Sequence, residues 1–171
     1  MLATRNHPED YNLWAEMGND GWAYKDVLKY FKKLENMEIP ELRSDTTTHE
    51  TDEPVHITYS SFRTKLAKAF VEAGVELRYP KVDYNAKETI EFSYFQVTTK
   101  NGTRISSNRA YLYPARGREN LHVTQESLVR RVLIDHRVNR AVGVEFAKQG
   151  RIISVFARKE VILCAGAIAS P

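Results

Sequence analysis

The sequence contains a single cysteine, Cys164, among its 171 residues. One cysteine excludes an internal disulfide and any metal site built mainly from cysteine ligands, although it leaves the cellular compartment open. No apolar run approaches the roughly 20 residues that a membrane-spanning helix needs. The first residues also lack the apolar core of a secretory signal, because Arg5, His7, Glu9 and Asp10 lie there.

The charge of the chain is nearly balanced, with a net value of +3. This excess is too small to indicate a nucleic-acid-binding protein by itself. No aromatic residue lies between Tyr113 and Phe146, whereas single-stranded nucleic-acid surfaces interleave aromatic and basic side chains. We therefore interpret the arginines of this region as a solvated face and expect no nucleic-acid partner. They are Arg116, Arg118, Arg130, Arg131, Arg137 and Arg140.

Residues with obvious catalytic or metal-binding spacing are also scarce. None of the histidines has a Cys, Asp or Glu at a metal-ligand spacing, so each is interpreted as a surface or packed residue: His7, His49, His56, His122 and His136. Asp83 and the nearby acidic residues show no pairing that would single out an acid and a base. The residues alone therefore predict no metal site and no catalytic residue.

What is present is typical of a globular chain, with 42% hydrophobic and 27% charged residues. Apolar residues at helical spacing predict a helix from Trp22 that fades near Asn36. A second helix is predicted to be capped by Ser60 or Ser61 and stopped by Gly74, since glycine commonly follows the last helical residue.

Strands and loops are predicted around these helices. Alternating apolar residues predict short strands over residues 55–59 and 92–99. An Asn-Gly turn at residues 100–103 predicts a hairpin. Segments 1–12 and 37–54 are polar and aperiodic, and we expect a loop and an exposed excursion respectively.

The last third of the chain has a different pattern. Short strands with turns between them predict a β-meander over residues 121–123, 127–134, 142–147 and 151–157. A further strand is predicted over residues 159–164, where the continuous apolar run Val161–Leu163 suits a strand covered on both faces. Cys164, at its end, is interpreted as a buried small hydrophobic residue.

Small residues follow that apolar run. Ala165 and Gly166 leave the backbone almost bare, as a site requires when a ligand or another segment must come very close. Ser170 and Pro171 suit an N-cap and a first helical residue. A strand, a small-residue turn and a helix start form an incomplete unit, so we expect the sequence to be a piece of a longer protein of mixed α/β class.

The order of these pieces resembles the glucose-methanol-choline (GMC) oxidoreductases, the FAD-dependent alcohol and sugar oxidases and dehydrogenases. The similarity is greatest to the branch of the insect FAD-dependent glucose dehydrogenases. It is carried, in order, by Trp14 to Glu35, Asn101 to Pro114, Arg118 to Phe146 and Lys159 to Pro171. No single motif is decisive, but the ordered set covers nearly the whole chain.

The resemblance implies parts of two domains. Residues 1–36 and 111–171 would belong to a Rossmann-like FAD-binding domain with a β-meander, and residues 37–110 to a substrate-binding domain. The implied cofactor is FAD, and the implied partner of the longer protein is a small alcohol or sugar. No membrane span and no metal are implied.

The resemblance also implies residues that contact the cofactor. Val129 matches the position whose backbone meets the adenine of FAD. Ala165 and Gly166 match the turn that packs beside the cofactor. Met1 and Leu2 match a segment that passes near the flavin ring.

Two parts of the family's machinery have no counterpart in these residues. The glycine-rich phosphate loop is expected before Met1, and the catalytic histidine is expected after Pro171. The chain therefore has no assigned catalytic residue, and a non-catalytic remnant that serves as a binding or structural module remains an alternative. An unrelated β-rich interaction domain is a third alternative, which the ordered similarity argues against.

The sequence departs from the family at positions where glycine is expected. These positions are Asn6, Glu50, Glu53, Ala86 and Glu91. A side chain in the left-handed region costs about 1 kcal/mol or more, so we expect strain wherever these positions need positive φ.

Overall fold

The computed structural model describes residues 2–87 and 91–170. The chain divides into two compact units, Met1–Arg118 and Glu119–Pro171, and each is described by itself. The first unit mixes helices and strands, which confirms the predicted class. Its elements are α1 (Pro8–Glu16), α2 (Tyr24–Lys32), β1 (Glu35–Met37), β2 (Val55–Tyr59), α3 (Lys65–Glu76), β3 (Gln96–Lys100), β4 (Thr103–Arg104) and a π-helical turn (Asn108–Leu112).

Helix α1 lies largely where a loop was expected over residues 1–12. Pro8 is its first residue, where the missing N–H of proline costs nothing. The His7 ring accepts a hydrogen bond from the Glu9 N–H, and the Asp10 carboxylate accepts one from the His7 N–H, both at 3.2 Å. This reciprocal cap satisfies two N–H groups of the first turn, and it explains why a polar sequence is helical here.

Helix α2 confirms the helix predicted from Trp22, but it ends at Lys32 rather than near Asn36. The chain then extends into β1, a strand that the sequence did not predict. Strand β1 pairs in parallel with β2, and Glu35 lies opposite Val55 in this register. A three-residue strand is too short to show a periodicity of its own, so only the pairing with β2 defines it.

The first sheet has the strand order β1-β2-β3-β4. Strand β2 confirms the prediction for 55–59, whereas β3 begins at Gln96 instead of residue 92, and the hairpin at Asn101-Gly102 is present. Met37, Ile39 and Ile57 form the core beneath the sheet. The prediction of an exposed excursion over 37–54 is therefore wrong at its start, because this segment supplies core side chains.

Helix α3 confirms the second predicted helix with different ends. Thr64 caps it, rather than Ser60 or Ser61. Gly74 lies inside the helix and does not stop it. A Cβ at Gly74 would lie 2.6 Å from the ring of Phe92, so the glycine permits close packing of an aromatic ring against the helix.

The second unit is built on an antiparallel sheet in the order β5-β6-β7. Its strands are β5 (Leu128–Asp135), β6 (Arg140–Lys148) and β7 (Arg151–Phe156), followed by a short helix, α4 (Gly166–Ala169). The meander is confirmed for these strands, but residues 121–123 lie outside the sheet. At Gly143, a Cβ would lie 2.3 Å from the Val155 carbonyl oxygen, so β6 and β7 approach each other closely there.

The strand predicted over residues 159–164 does not form in the sheet of this unit. Ile162 is 73% exposed and Leu163 is 57% exposed. Cys164 is also exposed, which contradicts its interpretation as a buried residue. A strand of this composition is stabilised by neighbours on both edges and both faces, and the described part of this unit supplies none.

The turn after this segment is only partly as expected. Gly166 has φ +87°, in the region that favours glycine, and it begins α4. Ser170 is not an N-cap, because it follows α4 and its Oγ accepts a hydrogen bond from the Ala165 N–H at 3.1 Å. Pro171 lies outside the described residues.

Of the positions where glycine was expected, Asn6 does adopt positive φ, at +63°. Asparagine enters this region more readily than other non-glycine residues, so the strain is small. Glu50, Glu53 and Ala86 are not among the residues with positive φ, so the condition for backbone strain is not met at these positions. Glu91 directly follows the undescribed segment 88–90.

No helix within residues 2–87 and 91–170 combines the length and the apolar character that crossing a membrane requires.

Candidate functional site

A buried cluster of charged side chains lies in the first unit. The Arg5 guanidinium donates to Glu35 Oε2 at 2.5 Å, and His49 Nδ1 donates to the same oxygen at 2.9 Å. On its other side, His49 Nε2 donates to Asp83 Oδ2 at 2.5 Å. His49 is only 1% exposed, so water does not compete for these hydrogen bonds. We call Arg5, Glu35, His49 and Asp83 the buried charge cluster.

Two amide side chains extend this cluster toward strand β3. Gln96 Nε2 donates to Asp83 Oδ1 at 2.5 Å, and the Asn85 backbone N–H donates to the same oxygen at 3.0 Å. Asn85 Nδ2 donates to Gln96 Oε1 at 2.9 Å. Both amides are at least 98% buried, and their hydrogen bonds fix which way each amide points.

The cluster favours a doubly protonated His49. Burial alone lowers the pKa of His49, but the hydrogen bonds and negative charges of Asp83 and Glu35 outweigh it and raise that pKa from 6.5 to about 9. Burial likewise opposes the ionisation of Asp83, yet its hydrogen bonds with His49 and Asn85 hold its pKa below the ordinary value. Two carboxylates then balance one guanidinium and one imidazolium, which is how buried charges become tolerable.

The N-terminal segment is attached to the edge of the sheet beside this cluster. Leu2 forms an antiparallel bridge with Val97 on β3. The Ala3 N–H donates to the Gln96 carbonyl oxygen at 2.9 Å, and the Ala3 carbonyl accepts from Tyr84 OH at 2.8 Å and from Asn85 Nδ2 at 2.9 Å. We call residues 2–5 the N-terminal strap.

Several concave surfaces lie in the same unit. A cavity of about 180 Å³ adjoins the strap and is lined by residues that include Leu2, Arg5 and Phe31. A larger groove of about 610 Å³ runs beside α3 and is mainly apolar, with Phe62 and Phe70 among its lining residues. The residues that line the larger groove include none of the buried charge cluster, and we assign no functional site to this groove.

Sequence reasoning did not find this cluster. The sequence showed no pairing of Asp83 that would single out an acid and a base, and it did not reveal the partner that the structure gives Asp83, which is His49. His49 was interpreted as a surface or packed residue without an acidic partner at a useful spacing, and it is packed. Its partners, Glu35 and Asp83, are 14 and 34 residues away along the chain, so no local pattern could join them.

The predicted cofactor residues divide between the units. Leu2 lies in the strap of the first unit and is 59% exposed. Met1 lies outside the described residues. Val129, Ala165 and Gly166 lie in the second unit. Their contacts with FAD stay predictions.

Two of these residues lie in backbone that a cofactor could approach within the second unit. Val129 lies on β5, an edge strand of its sheet, and the register shifts between Val129 and Arg131. An edge strand presents backbone N–H and C=O groups that can bind a planar ligand such as adenine. A Cβ built on Gly166 would meet nothing within 4 Å, so the approach to this turn is open.

Among the residues that the structure describes, no group of three or more His, Cys, Asp or Glu side chains has the geometry to hold a metal ion. In the buried charge cluster, both ring nitrogens of His49 already bind carboxylates.

Comparison with solved structures shows that known oxidoreductases contain this fold. The chain superposes on pyridoxine 4-oxidase from Mesorbium loti with a TM-score of 0.80 and 28% identity, covering 91% of this chain and 30% of that one. It superposes equally well, at a TM-score of 0.80, on an FAD-dependent oxidoreductase from Chaetomium thermophilum, covering 92% of this chain and 29% of that one. With 24% identity, the second likeness concerns the fold alone. These likenesses define the fold, a mixed α/β architecture that the chain shares with two oxidoreductases.

Sequence comparison gives the family. The GMC oxidoreductase family matches residues 1–171. The chain is 38% identical to the glucose dehydrogenase [FAD, quinone] of Drosophila melanogaster, over all of this chain and 27% of that protein. It is also 38% identical to an oxygen-dependent choline dehydrogenase of Rhizobium johnstonii, over all of this chain and 30% of that protein. The chain belongs to the GMC oxidoreductase family.

Membership confirms the predicted family, and it agrees with FAD as the predicted cofactor. The chain spans about 27–30% of the length of the curated relatives it matches.

Proposed function

We propose that this chain is the central part of an FAD-dependent oxidoreductase that acts on the CH–OH group of a small alcohol or sugar. The observation that carries the proposal is the match of the whole chain to the GMC oxidoreductase family. Two 38% identical relatives suggest the substrate class, since one is a glucose dehydrogenase and the other a choline dehydrogenase.

The residues of this chain would bind the cofactor rather than perform proton transfer. Bound FAD would supply the chemistry by accepting hydride from the alcohol carbon. We infer that the backbone at Val129 receives the adenine, and that Ala165 and Gly166 allow close approach beside the cofactor. Met1 and Leu2 would pass near the flavin ring. We assign no catalytic residue in this chain.

The three-segment domain organisation is part of the same proposal. Residues 1–36 and 111–171 would contribute to the FAD-binding domain, and residues 37–110 to the substrate-binding domain. The bare backbone at Gly166 and the edge position of Val129 support a cofactor-binding role for the last segment.

The test is to isolate the protein from its source with an antibody to this sequence. We expect a mass several-fold above 19.7 kDa, stoichiometric FAD released on denaturation, and bleaching of the flavin absorption by an alcohol or sugar under anaerobic conditions. A 19.7 kDa protein without flavin would contradict the enzyme proposal, and it would favour the alternative of a non-catalytic module from this lineage.

A second test uses the 171-residue chain by itself. We expect this chain to bind FAD weakly, because it contains no G-x-G-x-x-G sequence to seat the pyrophosphate on a helix N-terminus. We also expect poor solubility, since apolar side chains such as Ile162 and Leu163 are exposed. Tight stoichiometric FAD on a monodisperse 171-residue monomer would contradict this expectation.

A further inference from the structure

The first two residues of the N-terminal strap have few means of holding their position. Leu2 makes one bridge to Val97 and is 59% exposed. The next residue, Ala3, uses both its N–H and its carbonyl, and the partners are the Gln96 backbone, Tyr84 and Asn85. The position of the strap therefore depends on how firmly the side chains of loop 83–85 are held.

Hydrogen bonds of the buried charge cluster hold that loop in place. Asp83 accepts hydrogen bonds from the Asn85 backbone and from Gln96 through one carboxylate oxygen, and from His49 through the other. The Arg5 backbone N–H donates to Asn85 Oδ1 at 2.7 Å, so the far end of the strap binds the same loop.

Arg5 belongs to both the strap and the cluster, and its side chain connects the two. The Arg5 side chain donates to Glu35 and to the Thr48 carbonyl, at 2.5 and 2.7 Å. Glu35 in turn binds His49, which binds Asp83. The hydrogen bonds form a closed circuit from Arg5 through the cluster to Asn85 and back to Arg5.

This circuit requires a proton on each ring nitrogen of His49. Each nitrogen faces a carboxylate, Glu35 from strand β1 and Asp83 from loop 83–85, and the remaining charge in the cluster is Arg5. A neutral imidazole would turn a lone pair toward one carboxylate and break the circuit at that point.

We propose that Glu35, His49 and Asp83 are positioning residues that fix the N-terminal strap, so that Leu2 is presented at a defined place beside the flavin ring. The inference rests on the proposed function for the location of the flavin. It goes beyond that proposal by assigning a role to three largely buried side chains for which the proposed function names no contact with the cofactor.

The core of the sheet is a reason to expect that loss of the buried charge cluster affects mainly the strap. Met37, Ile39 and Ile57 pack with apolar neighbours, and β1, β2 and β3 have their own ladders of hydrogen bonds. Once the cluster is lost, opening of the strap would cost less free energy than unfolding of the sheet.

The experiment compares His49→Gln and Asp83→Asn with a matched control, His56→Gln, in the FAD-loaded protein at its natural length. His56 lies on the same sheet, and its hydrogen bonds run to Asn36 and Glu38. Amide hydrogen exchange of peptides covering residues 2–6 and 55–59 reports on the strap and on the sheet respectively. The visible flavin spectrum, at equal flavin occupancy, reports on the surroundings of the ring.

We expect the strap to exchange about 10-fold faster or more in both cluster variants, since each loses a charge-assisted hydrogen bond. Strand 55–59 should stay better protected than the strap in both cluster variants, the flavin spectrum should shift, and the control variant should change none of these readouts. Asp83→Asn keeps the shape of the side chain, so it remains informative if His49→Gln does not fold.

Unchanged exchange of the strap in a folded variant would overturn the proposal. Faster exchange with an unchanged flavin spectrum would also overturn it, because a loosened strap would then have no effect at the cofactor. A wild-type protein that contains no flavin would instead refute the proposed function, while the exchange data would still test how the strap is held.

Discussion

The most decisive prediction concerns how stability depends on pH through His49. The perturbation is a rise in pH that removes the second ring proton of His49 in the folded protein. Asp83 and Glu35 raise the folded-state pKa against the effect of burial, from 6.5 to about 9. A raised folded-state pKa means that the stabilisation is fully present below pH 6.5, and that it is lost as the pH rises through about 9.

The magnitude follows from the same two values. A pKa raised from 6.5 to about 9 corresponds to about 3 kcal/mol of stabilisation, at about 1.4 kcal/mol for each tenfold change in proton affinity. The total stability of a domain is roughly 5–15 kcal/mol, so this contribution is a large part of it. Asp83 adds no slope in this window, because its pKa is lowered and its contribution is lost only at acid pH.

The assay is thermal or urea unfolding of the protein at its natural length, between a pH of about 6 and about 10, for wild type, His49→Gln and His56→Gln. We expect the stability of the wild type to fall across this range by about 3 kcal/mol more than that of His49→Gln. His56→Gln should keep the slope of the wild type, because the cluster is intact. Parallel slopes for the wild type and His49→Gln would refute the assignment of a raised pKa to His49.

Three further substitutions test the packing and the caps by equilibrium unfolding. Gly143→Ala should destabilise by about 1–3 kcal/mol, because its Cβ would lie 2.3 Å from the Val155 carbonyl oxygen, and a neutral effect would contradict that close approach. Thr64→Ala should cost about 1 kcal/mol by removing the cap of α3, and Thr64→Ser should largely restore it. Tyr11→Phe should cost about 1 kcal/mol, since Tyr11 OH donates to the Arg5 carbonyl at 2.6 Å. An unchanged midpoint would show that this bond adds no net stability.

Much of the fold follows from local patterns in the sequence. Apolar residues alternate along strand β2, and Val142, Val144 and Phe146 do so along β6. An Asn-Gly pair marks the first hairpin. Helix α1 was missed although its signals are present, since Pro8 and Asp10 are typical of a first helical turn. When a helix forms in a polar segment, its apolar periodicity is weak, and the residues that cap its first turn are the better signal in the sequence.

The strand predicted over 159–164 shows where local patterns fail. Its composition suits a strand that is covered on both faces, and composition alone cannot supply the covering elements. In the described chain Ile162 and Leu163 remain exposed. The same reasoning explains the exposed Cys164, which was assigned to the interior only because it follows this apolar run.

The buried charge cluster could not be predicted from the sequence for a different physical reason. His49 and Asp83 lie in segments without a clear periodicity, which are normally assigned to solvent, and Glu35 lies at the fading end of the helix predicted from Trp22. They are buried because their charges cancel when they meet, and that cancellation depends on pairs separated by up to 34 residues. A net charge near zero for the four side chains is therefore a property of the tertiary structure. Buried polar networks whose hydrogen bonds are all satisfied make the structure around them rigid. The role of this cluster therefore lies in the segment that it holds, the N-terminal strap.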